Sequence, residues 1–238
     1  MQAACDYLPQ EILGESPPCL AHSVQLVVYD SIDSQRTVID TLAVGRNYVQ
    51  FINKSKPARN LLFQLQREHG VRSPLNVVRC VEPRWDSELS MLERLVKLKP
   101  HASEVAEHDD FRNKCTLFTP NQWSLAKSLI TVLSPVRVFT KFTQERPPRP
   151  GFASFKIARC ENEVTSCTSP GLGTMKGELL TSYTDRLGQY KGSKPYIMSC
   201  MLDINIKGVT YNALEKTTAY DMVKQDVAAQ IQQARPST

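Results

Sequence analysis

The spacing of apolar residues in the first half of the chain does most to limit what it can fold into. Leu20, Val24, Val27, Val28 and Ile32 recur at three- and four-residue intervals, which puts them on one face of an amphipathic helix. Val38, Leu42, Gly45, Val49 and Ile52 repeat the pattern, so the stretch reads as two helices or one long helix bent near Ser34. Pro57 opens a third helix with Leu61, Leu62 and Leu65 on its buried side, and Gly70 after His69 is a C-terminal stop.

The valine-rich stretch 75–81 is either a strand or an extended connector, ended by Pro83. Asp86 is placed to cap a helix carrying Leu89, Leu92, Leu95 and Val96, which Pro100 closes, and 101–114 reads as a loop or a weak helix. Thr119, Pro120 and Gln122 form the clearest helix start, a capping box with a pre-set first turn ahead of the stripe Leu125, Leu129, Val132 and Val136. Prolines at 147, 148 and 150, then a Ser-, Thr- and Cys-rich run to Gly173, make 145–175 a loop or disordered insert. Leu179, Leu180, Tyr183 and Leu187 mark a further amphipathic helix. The stretch 196–202 fits a short helix or a strand, and 213–234 is helix-prone but polar.

Composition enters as an exclusion. With 238 residues, 41% hydrophobic and 22% charged, the chain can bury one sizeable core, or a core plus a subdomain, and is neither disordered nor membrane-like. No run approaches the roughly 18 apolar residues of a membrane span. The start of the chain lacks the basic-then-apolar pattern of a signal peptide, so an intracellular protein with reduced thiols is expected. Cys19 and His22 have a ligand-like spacing, but a structural zinc site needs a second pair, and Cys160 and Cys167 stand too far apart to supply it. No metal and no cofactor are expected.

Catalytic patterns are missing as well. Neither a phosphate-binding glycine loop nor a nucleophile elbow nor a zinc-protease helix occurs. The adjacent Asp109 and Asp110 and the pair Asp30 and Asp33 are not spaced to hold two metal ions. Charge is more informative. Between Arg137 and Arg159 lie Arg137, Lys141, Arg146, Arg149, Lys156 and Arg159 against Glu145 alone, an excess equal to the +5 of the whole chain. Such a run either contacts phosphates or is a solvated linker. Trp85 also has two readings. It is a core residue at a helix entry, or it stacks on an unpaired base while Arg84 holds a phosphate.

Five segments in order resemble the hAT transposases and the BED zinc-finger proteins derived from them. They are Cys19-Leu20-Ala21-His22 with the apolar residues after it; Ser55-Lys56-Pro57-Ala58 with Leu65-Gln66; Arg84-Trp85-Asp86-Ser87 with Met91-Leu92-Glu93-Arg94-Leu95; Trp123 with Leu133-Ser134-Pro135 and Phe139-Thr140; and Met175-Lys176, Arg186 and the segment 201–207. The resemblance covers roughly 1–208. It implies a ribonuclease H-like α/β domain interrupted by a large helical insertion, so the fold expected is mainly α with a minor α/β part. It also implies that the family's acidic triad falls outside this sequence, that no BED finger is present, and that Asp203-Ile204-Asn205 replaces the family's D-P-R.

The expected organisation is a helical transposase-like region 1–144, an insert 145–175, and a C-terminal part 176–238. The expected function is that of a non-catalytic, domesticated or degenerate hAT-like protein of the nucleus. Weak contact with DNA and contacts with protein partners are anticipated, with no membrane and no small-molecule substrate. Arg84, Trp85, Cys19, His22, Arg137 and Lys141 are the expected DNA-contacting residues, Cys19 and His22 because the resemblance places them near the former active site. The alternative is a helical protein-interaction module, or a transposon remnant without a DNA function.

Overall fold

A computed structural model of the chain describes residues 18–81, 84–144, 150–203 and 213–233. Among these residues the structure is helical and contains no strand. In order, the elements are α1 (Leu20–Asp33), α2 (Arg36–Lys54), α3 (Lys56–Glu68), α4 (Trp85–Glu107), α5 (Pro120–Thr143), α6 (Pro150–Ser166), α7 (Gly173–Gly192), α8 (Lys194–Leu202) and α9 (Ala213–Gln233). The fold is therefore mainly α, as the periodicity indicated, while the minor α/β part has no strand to represent it among the described residues.

The chain divides into two compact units. One comprises Gln25–Val138 and Glu163–Ser182, the other Met1–Val24, Phe139–Asn162 and Tyr183–Thr238. In the first, α2, α3 and α4 pack on one another. The stripe that spacing assigned to α2 is buried, with Thr41 and Tyr48 added to it. The chain breaks between α1 and α2 at Ser34, whose hydroxyl donates to the Ser31 carbonyl (2.7 Å), and Gln35 is extended. Gly45 lets neighbours approach closely, since a Cβ there would lie 3.0 Å from Phe118 Cζ and 3.1 Å from Met91 Cε.

After α3 the stretch 75–81 is an extended connector, not a strand. Its backbone is held by a side chain in place of a ladder. Gln66, buried on α3, accepts from Leu75 N–H (2.7 Å) and donates to Leu75 C=O (2.9 Å). Arg94 donates to Asn76 C=O (2.6 Å).

Three local expectations are corrected. Pro100 does not close α4, which continues to Glu107. A proline in a helix costs one hydrogen bond and a steric clash, roughly 3 kcal/mol, but Leu98, His101, Ala102 and Val105 continue the buried stripe across it. Asp86 is not the cap. Arg84 takes that position without a side-chain bond, and Asp86 joins Glu88 in the first turn, where the helix dipole favours acids.

The third correction concerns 145–175. Residues 145–149 lie outside the described set, but 150–166 is helix α6, with Ala153, Ile157, Cys160 and Val164 buried at intervals of four, three and four. The capping box at the start of α5 is present: Thr119 N–H donates to Gln122 Oε1 (3.0 Å) and Gln122 N–H to Thr119 Oγ1 (3.3 Å).

In the second unit, phenols bind helices together. Tyr183 of α7 donates to the Ile157 carbonyl of α6 (3.0 Å). Tyr190 donates to Pro18 C=O (2.5 Å) and shares a hydrogen bond with Ser23 Oγ (3.0 Å). The stretch 196–202, open between helix and strand by spacing, lies in helix α8, whose Ile197 and Met201 pack on Ala219, Met222 and Val223 of α9.

Candidate nucleic-acid interface

Arg84 and Trp85 are neighbours at the turn into α4. Ser87 builds that turn. Its hydroxyl accepts from Val81 N–H (2.8 Å) and lies within hydrogen-bond reach of Val81 C=O (3.1 Å) and Arg84 C=O (2.6 Å). The two side chains then part. Trp85 is 4% exposed and belongs to the core, whereas Arg84 is exposed. A ring so covered has no free face to offer a base. Its placement favours packing over stacking.

Arg84 stands instead at the edge of a cleft of about 280 Å³ together with Tyr29 and Asp33 of α1, Arg46 of α2, Cys80 of the connector and Glu88 of α4. Arg46 pairs with Glu88 inside this cleft, so those two charges cancel locally. Asp33 is the one other exposed charge of the lining, and Arg84 is the guanidinium there with no ion pair among the described residues. A planar fork of donors beside a phenol and the apolar Ile32, Ile39 and Leu42 suits a phosphate-bearing ligand. Spacing along the chain gives no sign that Tyr29 and Asp33, Arg46 and Glu88 meet; the fold brings them together from three helices.

Arg137 has a different role from the one the basic run 137–159 suggested. Its guanidinium donates to both oxygens of Glu93 (2.9 and 2.5 Å) and lies 3.7 Å from Asp86. The hydrogen bond to Glu93 raises its pKa, against the opposing effect of burial. It joins α5 to α4, and its charge is spent on carboxylates.

Cys19, His22 and Lys141 belong to the other compact unit. Cys19 C=O accepts from Ser23 N–H (2.9 Å) at the start of α1, and Cys19 and His22 are exposed about one turn apart. Lys141 is exposed near the end of α5. The six expected residues are thus divided three and three between the units. The basic run 137–159 is divided as well. Arg137 is neutralised, Lys156 lies over the Phe142 ring at 5.6 Å, and Arg146 and Arg149 fall outside the described residues.

Residues 17–132 match the family described as the ZBED1 RNase-like helical domain. The chain is also 25% identical over 219 residues to zinc finger BED domain-containing protein 4 of Homo sapiens, a match covering 91% of this chain and 18% of that protein. It therefore spans less than a fifth of this relative's length. No solved structure matches the chain. Among the described residues no helix is long and apolar enough to cross a membrane.

Proposed function

From the premise that this chain is a hAT-derived, BED-type protein, we propose that it is a non-catalytic helical module of the nucleus that binds DNA weakly through phosphates. The observation that carries this reading is the contrast between Arg84 and the two arginines nearest to it in role. Arg46 and Arg137 are matched to carboxylates, while Arg84 is exposed at the edge of a cleft without an ion pair among the described residues. Ser87 and the first turn of α4 hold its backbone, so little order is lost when it meets an anion. Binding through phosphates is sequence-tolerant and weakens steeply with salt. The BED zinc-finger name of the relative agrees with a nuclear, DNA-associated role.

Strand cleavage is not attributed to these residues. Incubating the purified chain with a DNA hairpin and Mg²⁺ or Mn²⁺ is expected to leave the DNA intact, and metal-dependent cutting that follows the protein through purification would refute this. For binding, fluorescence anisotropy with a labelled duplex is expected to show an affinity that falls steeply from low to physiological salt. Arg84→Ala should weaken it with an unchanged melting temperature. Equal binding by wild type and Arg84→Ala would remove Arg84 from the interface.

A second reading, a protein-interaction module, draws on α9. There Leu214, Tyr220, Val227 and Ile231 are exposed, at 48% or more, in a helix otherwise packed on α8.

A further inference from the structure

Among the described cations, several are paired with carboxylates and one consecutive run is not. Arg36, Arg46, Arg112, Arg137, Lys194 and Lys224 each face a carboxylate. Lys54, Lys56, Arg59, Arg67, Arg72, Arg79 and Arg84 face none among the described residues, and all but Arg59 are exposed. These seven are consecutive. Between 54 and 84 the only acids are Glu68 and Glu82, so this stretch alone carries an excess of five positive charges, equal to that of the whole chain.

Local structure turns the run into a surface. On α3, Ala58, Leu62 and Gln66 are buried, and Lys56, Asn60, Gln64 and Arg67 form the opposite, exposed face at intervals of four, four and three, with Glu68 at its C-terminal edge. That face extends about 16 Å along the helix at 1.5 Å per residue. Lys54 closes α2 one residue before Ser55 caps α3, and the first turn of α3 contains no acid, so its N-terminal dipole adds to the positive potential. Beyond α3 the connector holding Arg72 and Arg79 is fixed at Leu75 by Gln66, at Asn76 by Arg94 and at Val81 by Ser87. Cations on a fixed backbone lose little freedom on binding.

A positively charged face of this length suits an extended polyanion. A membrane-surface helix sets its cations beside an exposed apolar stripe, but here Asn60 and Gln64 lie between the cations and the apolar side faces the core. Amide side chains hydrogen-bond phosphates, sugars and base edges, and one exposed helix face fits a DNA groove. The geometry points to the outer face of α3 and the connector after it as a duplex-DNA surface, with α3 along a groove and Lys54, Lys56, Arg67, Arg72 and Arg79 on phosphates. Gln64, which donates to Glu68 (2.8 Å), exchanges that bond on binding. This inference rests on the DNA-binding reading above and extends it to a face of the molecule not reached by the cleft.

The test compares two doubly reversed variants of the 238-residue chain. K56E/R67E alters the proposed face, and K114E/K127E reverses two other exposed, unpaired lysines. Anisotropy titrations against a duplex of about 20 base pairs should show K56E/R67E roughly tenfold or more weaker near 0.1 M salt, with the salt slope lowered by about 2. K114E/K127E should stay within about threefold of wild type, with melting unchanged for both. R72E/R79E should repeat the loss from the connector. Equal losses in K56E/R67E and K114E/K127E would overturn the surface and leave DNA binding standing, as would loss in Arg84→Ala with K56E/R67E unaffected. No binding by wild type at low salt would refute both readings. Displacement of the duplex by polyglutamate at equal charge would overturn the assignment to DNA in favour of an acidic protein.

Discussion

Replacing Trp85 by alanine removes an indole that is 4% exposed at the first turn of α4. The expected loss is about 3–5 kcal/mol, transfer of the ring plus the cavity it leaves, and urea denaturation followed by circular dichroism measures it. A loss below about 1 kcal/mol would place the ring outside the core. Arg84→Ala, one residue away and exposed, should stay within about 0.5 kcal/mol. Gly45→Ala has two opposing effects. Alanine improves helix propensity by about 1 kcal/mol, but its Cβ would meet Phe118 Cζ at 3.0 Å, and that ring is itself set edge-on against Trp123 at 4.8 Å. Overpacking of a held ring costs about 1–3 kcal/mol, so a net destabilisation is expected, and a higher melting temperature would show that Phe118 yields.

Helix ends and helix faces carry the next set of effects. Thr119→Ala removes half of the capping box on α5 and should cost about 1 kcal/mol, while Gln122→Ala removes the return bond to Thr119 N–H. Helix α6 is the element that sequence pattern concealed. Three prolines and a Ser/Thr-rich run suggested a loop, yet Ala153, Ile157, Cys160 and Val164 lie on one buried face, and Tyr183 reaches the Ile157 carbonyl. Ile157→Ala should therefore cost about 2–5 kcal/mol, and amide exchange at 153–164 should be slow. Rapid exchange through that stretch would restore the loop.

For the molecule as a whole, alkaline pH is the sharpest probe. Tyr48, Tyr183, Tyr190 and Tyr196 are all held above the ordinary phenol range, first by burial, with Tyr196 pushed up to about 12. Tyr48, Tyr183 and Tyr190 also donate to backbone carbonyls, which requires the neutral form. In the unfolded chain these phenols ionise near pH 10. Above that pH the unfolded state binds fewer protons than the folded one, so stability must fall as pH rises. Denaturant midpoints should show the phenol contribution intact below about pH 10 and declining from there through 12. Other groups also change charge at alkaline pH, so the diagnostic is Tyr48→Phe/Tyr183→Phe. That variant should lose less stability than wild type between pH 9 and about 11.5, and an equal slope in both proteins would assign the decline to other groups.

Sequence alone determined the helices whose apolar residues recur without interruption. The stripes of α1 and α2, the break at Ser34 and the cap of α5 were all legible, because helical period and capping depend on residues within a few positions of each other. The family resemblance was legible for a related reason, since ordered motifs survive even at 25% identity. Only tertiary structure decided the rest. Pro100 is a local signal against a helix that burial of distant side chains outweighed, and the Ser- and Thr-rich run after Pro150 hid a helix whose buried face only packing reveals. It also decided the fate of charges. Arg84 and Arg137 read alike along the chain, but α4 presents Glu93 and Asp86 to Arg137, and the described residues present no carboxylate to Arg84. Whether a cation is spent or available depends on which carboxylates the fold brings within about 4 Å, and spacing along one chain does not contain that distance.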